Sequence, residues 1–227
     1  MYEGRRSRLK GCTVWRSVIT AGDVRILPDG CMDIIWSNDG SLFVAGPDTR
    51  AHTFSSRPGR TFVGIRLASG IGPTVLGVPA HELRDQRVPL EAIWGPAVSR
   101  RLNERIATDP HPGRTLEAAV GERVRDSDGS ARQIAEVVRL LRSGRRVADV
   151  AERVGLSERQ LHRRSMDAFG YGPKTLARIL RFSRAVDLAL DGADPVDVAA
   201  RSGYADQAHL AREVKSLARV SLTALRL

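Results

Sequence analysis

One phrase occurs twice in the chain, and this repeat limits the possible architecture more than any other feature. Asp149-Val150-Ala151-Glu152-Arg153-Val154-Gly155 returns 48 residues later as Asp197-Val198-Ala199-Ala200-Arg201-Ser202-Gly203. Each copy reads as a short helix of apolar periodicity, a glycine, and a second helix carrying arginine. Glycine accepts the left-handed backbone of a tight turn, so the layout is that of a helix-turn-helix unit, a supporting helix followed by a recognition helix. Two such units on one chain are expected to make two groove contacts on one DNA.

Helical spacing fills in the segments around the repeat. Ile134, Val137, Val138 and Leu141 define the buried face of a helix from about Ala131 to Arg142, which Gly144 should end. Val147 to Arg153 is the first supporting helix, and Ser157 is the expected N-cap of a recognition helix, Glu158 to Phe169. With Leu161 set inward and steps of about 100° per residue, Arg159, Arg163 and Met166 face outward, flanked by Gln160 and His162. Arginine on that face can bond O6 and N7 of guanine, and glutamine or histidine can serve neighbouring bases or phosphates.

Gly170 and Pro173 then punctuate the start of a long connecting helix to Leu190. Its expected apolar stripe is Leu176, Ile179, Leu180, Ser183, Val186 and Leu190, with Lys174, Arg178, Arg181 and Arg184 outside it. The second recognition helix, Asp206 to about Leu217, turns Leu210, Val214 and Leu217 inward. Ala208, Arg212 and Lys215 then face outward with Gln207 and Ala211 beside them. Arg212 is the expected anchor there, and the small Ala208 and Ala211 allow close approach to thymine methyls. A short helix from about Ser221 is expected to close the core.

Charge agrees with a polyanionic partner. Residues 128–227 hold 18 of the 36 basic and 12 of the 26 acidic residues, a net +6, against +4 for residues 1–127. Basic surfaces neutralise phosphates and release counterions. Only Lys10, Lys174 and Lys215 are lysine; arginine suits bidentate contacts, though a GC-rich genome leaves the same composition. No apolar run is long enough to span a membrane, and the stretch with Arg5, Arg6, Arg8 and Lys10 lacks the apolar core of a signal peptide, so cytoplasmic, nucleoid-associated residence is expected. Cys12 and Cys31 have no metal-binding spacing and read as buried free thiols, with a redox pair as the alternative.

The first part of the chain reads as strands. Val14-Trp15, Val24 to Leu27, Asp33 to Trp36, Leu42 to Ala45 and Thr61 to Leu67 are short β-like runs divided by Pro28-Asp29-Gly30, Asn38-Asp39-Gly40 and Arg57-Pro58-Gly59. They point to an antiparallel β-sandwich or small barrel, with Asn38-Asp39-Gly40 as the clearest hairpin. Short helices follow at Pro73 to Leu76, Pro79 to Leu83 and Leu90 to Trp94, then longer ones at Pro96 to about Ala107 and Arg114 to Arg125. Asp126 to Ser130 reads as a linker, which divides the chain into residues 1–127 and 128–227. The expected fold class is therefore α+β in two domains.

Gly155-Leu156-Ser157-Glu158-Arg159-Gln160-Leu161-His162-Arg163-Arg164, Phe169-Gly170-Tyr171-Gly172-Pro173 and Gly203-Tyr204-Ala205-Asp206-Gln207-Ala208-His209-Leu210, joined by the Pro173–Leu190 helix, closely resemble the AraC-type transcription regulators. The resemblance covers about Ile134 to Leu225. It implies seven helices, with each recognition helix entering one of two successive major grooves. The base-facing positions it implies are Arg159, His162 and Arg163, then Gln207, Ala208, Ala211 and Arg212. Ser165 and Val214 depart from the usual phenylalanine, and Leu222 from the usual proline. The first part resembles, through Leu27 to Trp36 and Ala45-Gly46-Pro47, the small cupin-like domains that precede such motifs, which commonly sense a small molecule, mediate dimerisation, or both.

The resulting expectation is a sequence-specific regulator, an activator in sense, whose partners are double-stranded promoter DNA, RNA polymerase, a small-molecule effector and a second copy of the chain. A ligand pocket in the sheet would draw on Trp15, Trp36, Phe43, Phe54, Phe62 and Arg66; the same residues serve equally as core. Two alternatives stand beside it, a first domain that only dimerises or binds a partner, and an enzyme. Cupin metal chemistry wants clustered histidines, whereas His52, His81 and His111 are scattered, and neither cysteine nor any nucleophile motif fits catalysis, so no cofactor or metal is expected.

Overall fold

Six antiparallel strands, in the order β1-β2-β7-β4-β5-β8, form the sheet of the first half of the chain. They are β1 (Tyr2–Arg6), β2 (Cys12–Val18), β4 (Met32–Ser37), β5 (Leu42–Ala45), β7 (Thr61–Leu67) and β8 (Arg87–Pro89), while β3 (Asp23–Ile26) and β6 (His52–Ser55) pair as a separate antiparallel ribbon. The structure, a computed structural model, describes residues 2–20, 22–124 and 129–225, with backbone alone for Gly129 and Ser130.

The two-residue period of a strand sorts the side chains into two cores. Val14, Ile34, Trp36, Val44, Val63, Ile65 and Leu67 point to one face, where α3 (Pro96–Thr108) and α4 (Pro112–Gly121) cover them with Leu102, Ile106, Leu116 and Val120. Trp15, Ile35, Phe43, Ala45 and Phe62 point to the other, toward Val24 and Phe54 of the ribbon. Both faces are covered, so every residue of the central β4 is buried. The expected sandwich is thus asymmetric, because its second layer is only two strands.

Asn38-Asp39-Gly40 does make the β4–β5 hairpin, closed by Ser37 N–H to Ser41 O and Gly40 N–H to Ser37 O, both 2.9 Å. β1, β6 and β8 have no counterpart among the expected strands. β1 is exposed along its whole length on the sheet edge, and β8 is three residues ending in proline, so neither carries an alternating apolar signal. Short helices α1 (Gly72–Leu76) and α2 (Glu91–Trp94) and a 3-10 turn (Ala80–Leu83) lie where prolines announced them. The helix expected at Arg114 to Arg125 starts earlier, at Pro112, and Arg125 and most of the expected linker lie outside the described residues.

Seven helices make the C-terminal region among the described residues: α5 (Gly129–Arg142), α6 (Val147–Arg153), α7 (Glu158–Phe169), α8 (Pro173–Leu190), α9 (Pro195–Ser202), α10 (Gln207–Ala218) and α11 (Leu222–Leu225). Gly155 and Gly203 hold φ of 68° and 76° at the two turns, the conformation for which the repeat needs glycine. α8 belongs to two cores in succession. Leu176, Ile179 and Leu180 pack with Val137, Leu141, Val150, Leu161 and Phe169; Phe182, Ala185, Val186 and Ala189 pack with Val198, Tyr204, Leu210, Val214 and Leu217. One straight stripe cannot serve both, so the buried face shifts along the helix. Leu190, expected inside, is 59% exposed, and Ala189 takes its place.

The first half touches both helix-turn-helix units. Arg84 Nη1 donates to Gly170 O at 3.3 Å and His81 Nδ1 lies 3.4 Å from Asp167 Oδ1, at the C-terminal end of α7. Arg25 Nη1 donates to Ala218 O at 3.0 Å and Ala51 N–H to Leu217 O at 2.6 Å, at the C-terminal end of α10. The bonds to Gly170, Ala218 and Leu217 satisfy carbonyls that a helix leaves without intrahelical partners, while His81 meets a side-chain carboxylate.

Candidate nucleic-acid interface and inter-domain cavity

The first recognition helix is fixed at its start by a reciprocal cap. Ser157 Oγ accepts from Gln160 N–H at 3.2 Å, and Gln160 Oε1 accepts from Ser157 N–H at 2.8 Å. Leu161, Ser165 and Phe169 are buried at four-residue intervals, which sets the rotation of α7. Arg159, Gln160, His162 and Arg163 are consequently exposed, and among the described residues no ion pair engages Arg159 or Arg163. The structure gives Gln160 a second duty, since its amide oxygen is spent on the cap. His162 leans toward the α7–α8 turn, where a Cβ on Gly172 would lie 2.8 Å from its Nε2.

The second recognition helix is capped by Asp206, whose Oδ1 accepts from His209 N–H at 2.6 Å. Leu210, Val214 and Leu217 are buried, and Gln207, Ala208, Ala211, Arg212 and Lys215 form the exposed side. Arg178, expected as surface decoration, instead positions α10 from α8. Its Nε and Nη2 reach Glu213 at 2.7 and 3.1 Å, and Nη2 reaches Ser216 Oγ at 2.8 Å. Those hydrogen bonds hold the Glu213 carboxyl below its ordinary pKa. A pairing across 35 residues leaves no local pattern that could have announced it.

A second site opens on the outer face of the sheet, a cavity of about 670 Å³ walled by β2, β4, β5 and β7, by the β3–β6 ribbon, and by Phe182, Ser183, Val186 and Asp187 of α8. Trp15, Phe43, Phe54, Phe62 and Arg66 line it, as a pocket in the sheet would require. Trp36 does not. It has the parity of Ile34, so it points to the helix-covered face, where its Nε1 donates to Asn103 Oδ1 at 2.8 Å. Gly64 makes room for the Trp15 indole, whose Cε2 would sit 2.3 Å from a Cβ there.

Polar groups collect where the cavity meets the domain seam. Trp15 Nε1 donates to Asp33 Oδ1 at 2.6 Å, Arg66 Nε lies 3.4 Å from Asp33 Oδ1, and Arg66 Nη1 lies 3.3 Å from Asp29 Oδ2. Burial pushes the pKa of Asp33 up, and the Arg66 charge opposes this. Elsewhere on the wall Arg87 grips Asp48 with two bonds of 2.9 and 2.6 Å, while Arg60 pairs with Asp39 and lies 4.9 Å above the Phe62 ring. Asp29, Asp33 and Asp187 were not among the expected pocket residues. Asp33 stood out only as an acid inside an apolar strand.

The cysteines are not a redox pair. Cys12 packs in the helix-covered core and Cys31 lines the cavity on the opposite side of the sheet. Burial, helped by the Glu117 charge, pushes the Cys12 thiol up to about 11, and burial with the Asp29 charge also raises Cys31, so both stay protonated near neutrality. Among the described residues no group of three or more His, Cys, Asp or Glu side chains is arranged to hold a metal, and no helix is long and apolar enough to cross a membrane.

Comparison with known proteins adds family and fold. Residues 150–227 match a helix-turn-helix domain family, of the AraC type, and residues 12–89 match a domain of unknown function. No curated protein matches the chain. Among solved structures, ToxT from Vibrio cholerae O395 aligns with a TM-score of 0.52 at 13% identity, covering 96% of this chain and 98% of that one. Wild-type ToxT from strain SCE256, bound to an unsaturated fatty acid, aligns at 0.52 and 13% identity over 99% and 97%. ToxT from O395 bound to (E)-4-(8-methylnaphthalen-1-yl)but-3-enoic acid aligns at 0.50 and 14% identity over 99% of each chain. The two-domain fold, a β-rich first half followed by a helical region, is shared.

Proposed function

Starting from an AraC-type helix-turn-helix domain at residues 150–227 and a fold shared with ToxT, we propose that this chain is a sequence-specific transcription regulator. It inserts α7 and α10 into successive major grooves of promoter DNA. The supporting observation is that two capped helices, each with an exposed outer face, are built on opposite ends of one rigid helix, α8. Arg159 and Arg163 would bond base edges from α7, with His162 and Gln160 serving flanking bases or phosphates. Arg212 would anchor α10, Lys215 would meet phosphate, and Gln207, Ala208 and Ala211 would lie closest to the bases.

In this reading the inter-domain cavity is the effector site. It is lined on one side by the sheet and ribbon and on the other by α8, so a bound molecule touches the helix that carries both readers. ToxT has been solved bound to an unsaturated fatty acid and to (E)-4-(8-methylnaphthalen-1-yl)but-3-enoic acid, which supports a small-molecule effector for a chain of this fold. The regulator acts as an activator, with RNA polymerase as a further partner and a second copy of the chain as the natural complement for a bipartite operator. It works in the cytoplasm, on the nucleoid.

A gel-shift titration of the full chain against its own promoter region tests the reading. Specific binding should exceed binding to random duplex by about a thousandfold or more and weaken steeply with salt. Equal affinity for both duplexes at moderate salt overturns it.

A further inference from the structure

Resting on the reading of the inter-domain cavity as an effector site, we propose that its ligand is an organic cation. The ligand is an amine or guanidine on an aromatic or branched apolar body, with its charged head between Asp29, Asp33 and Asp187. The body of the cavity and its polar end argue this separately.

Trp15, Ile19, Ile35, Phe43, Phe54 and Phe62 surround the interior. A space of about 670 Å³ walled in this way fits a small aromatic or branched molecule and offers ring faces that attract a cation. The arginines on the wall are committed. Arg87 is held by Asp48, Arg60 by Asp39, and Arg25 by the Ala218 carbonyl. Arg66 is at the polar end, where it stands between Asp29 and Asp33 at 3.3 and 3.4 Å.

Asp187 adds a third carboxylate from α8, and among the described residues its side chain has no ion pair or hydrogen bond. Arg142 of α5 is near enough to favour the charge on Asp187, but it does not line the cavity and lies outside ion-pair distance. Partial desolvation of this exposed carboxyl, with the charges of Asp191 and Asp29, raises its pKa. A carboxylate ligand would add a fourth negative group and would have to win Arg66 from two partners. A cation instead receives a set of acceptors that outnumbers the local donors, and it bridges the first domain to α8 through Asp29 and Asp187.

Three probes with one body separate head-group charge from shape: 4-phenylbutylamine, 4-phenylbutan-1-ol and 4-phenylbutanoate. Each is titrated into the full chain by tryptophan fluorescence and calorimetry. The amine should bind at least about tenfold more tightly than the carboxylate, with the alcohol between them. Asp187→Asn, an exposed position whose folding is checked by thermal melting, should cost the amine about tenfold and leave the alcohol unchanged. Binding of the carboxylate as tight as or tighter than the amine overturns the cation assignment and leaves the effector cavity standing. Amine binding indifferent to both Asp187→Asn and Asp29→Asn overturns the proposed seat of the head group. Failure of all three probes, the alcohol included, overturns the effector reading together with the cation.

Discussion

The two helix-turn-helix units share a backbone plan and little else. The second turn is one residue longer, so the repeat runs at an offset of 49 beyond it: Ser157 and Asp206 cap, Leu161 and Leu210 anchor, Ser165 corresponds to Val214, and Phe169 corresponds to Ala218. Bulk is therefore distributed differently. The first core ends on a phenylalanine and has a serine in the middle, and the second has a valine in the middle and ends on an alanine. Their outer faces differ as well, with Arg159 and Arg163 on α7 against Ala208, Ala211, Arg212 and Lys215 on α10. Duplication of a phrase specifies two turns and two buried faces; it leaves each free to become a different reader.

The sharpest break would come from the cores. Phe169→Ala should cost about 3–5 kcal/mol in urea or thermal unfolding, because a side chain 1% exposed leaves a cavity. Val214→Ala, in the second unit, should cost about 2 kcal/mol. Equal losses would mean that the two cores are energetically alike despite their different side chains. For DNA binding, Arg163→Ala should weaken specific affinity by roughly 10–100-fold and Arg212→Ala by less, measured by fluorescence anisotropy. Equal or reversed losses would remove the asymmetry between the readers.

Smaller effects probe how each unit is tied to the first half. Arg25→Ala frees the Ala218 carbonyl, and about 1 kcal/mol of protection should be lost. Hydrogen exchange should locate this loss at the C-terminal end of α10, with α7 unchanged; a loss shared by both helices would show that the ties are not separate. The smallest change expected is Ser165→Ala. Its hydroxyl is fully buried in the first core without a hydrogen-bond partner among the described residues, so its removal should stabilise the protein by up to about 1 kcal/mol in thermal melting.

Much of the reader was legible residue by residue. Leu161 and Leu210 as inward anchors, Ser157 as a cap, and the bounds of α6, α7 and α8 all follow from spacing and end signals over a dozen residues. Errors appeared where a second element decides the matter. Leu190 fits the helical stripe of α8 and yet lies in solvent, because the second core approaches from a different side. Gln160 and Arg178 looked like free surface groups, and each is occupied by a neighbour. The Trp36 error was avoidable, since the two-residue period already separates it from Ile35.

What the sequence by itself determined is the set of local repeats: two glycine-turned helix pairs, the helix joining them, and the alternating strands with their one clear hairpin. Helix and strand periods come from backbone geometry, so a dozen residues suffice to express them. Only the tertiary structure decided that the β3–β6 ribbon reaches the end of α10, and that Asp29, Asp33 and Arg66 line the same cavity as Asp187. Those placements bring together residues more than 100 positions apart. They depend on how one half of the chain docks on the other, which no local period encodes.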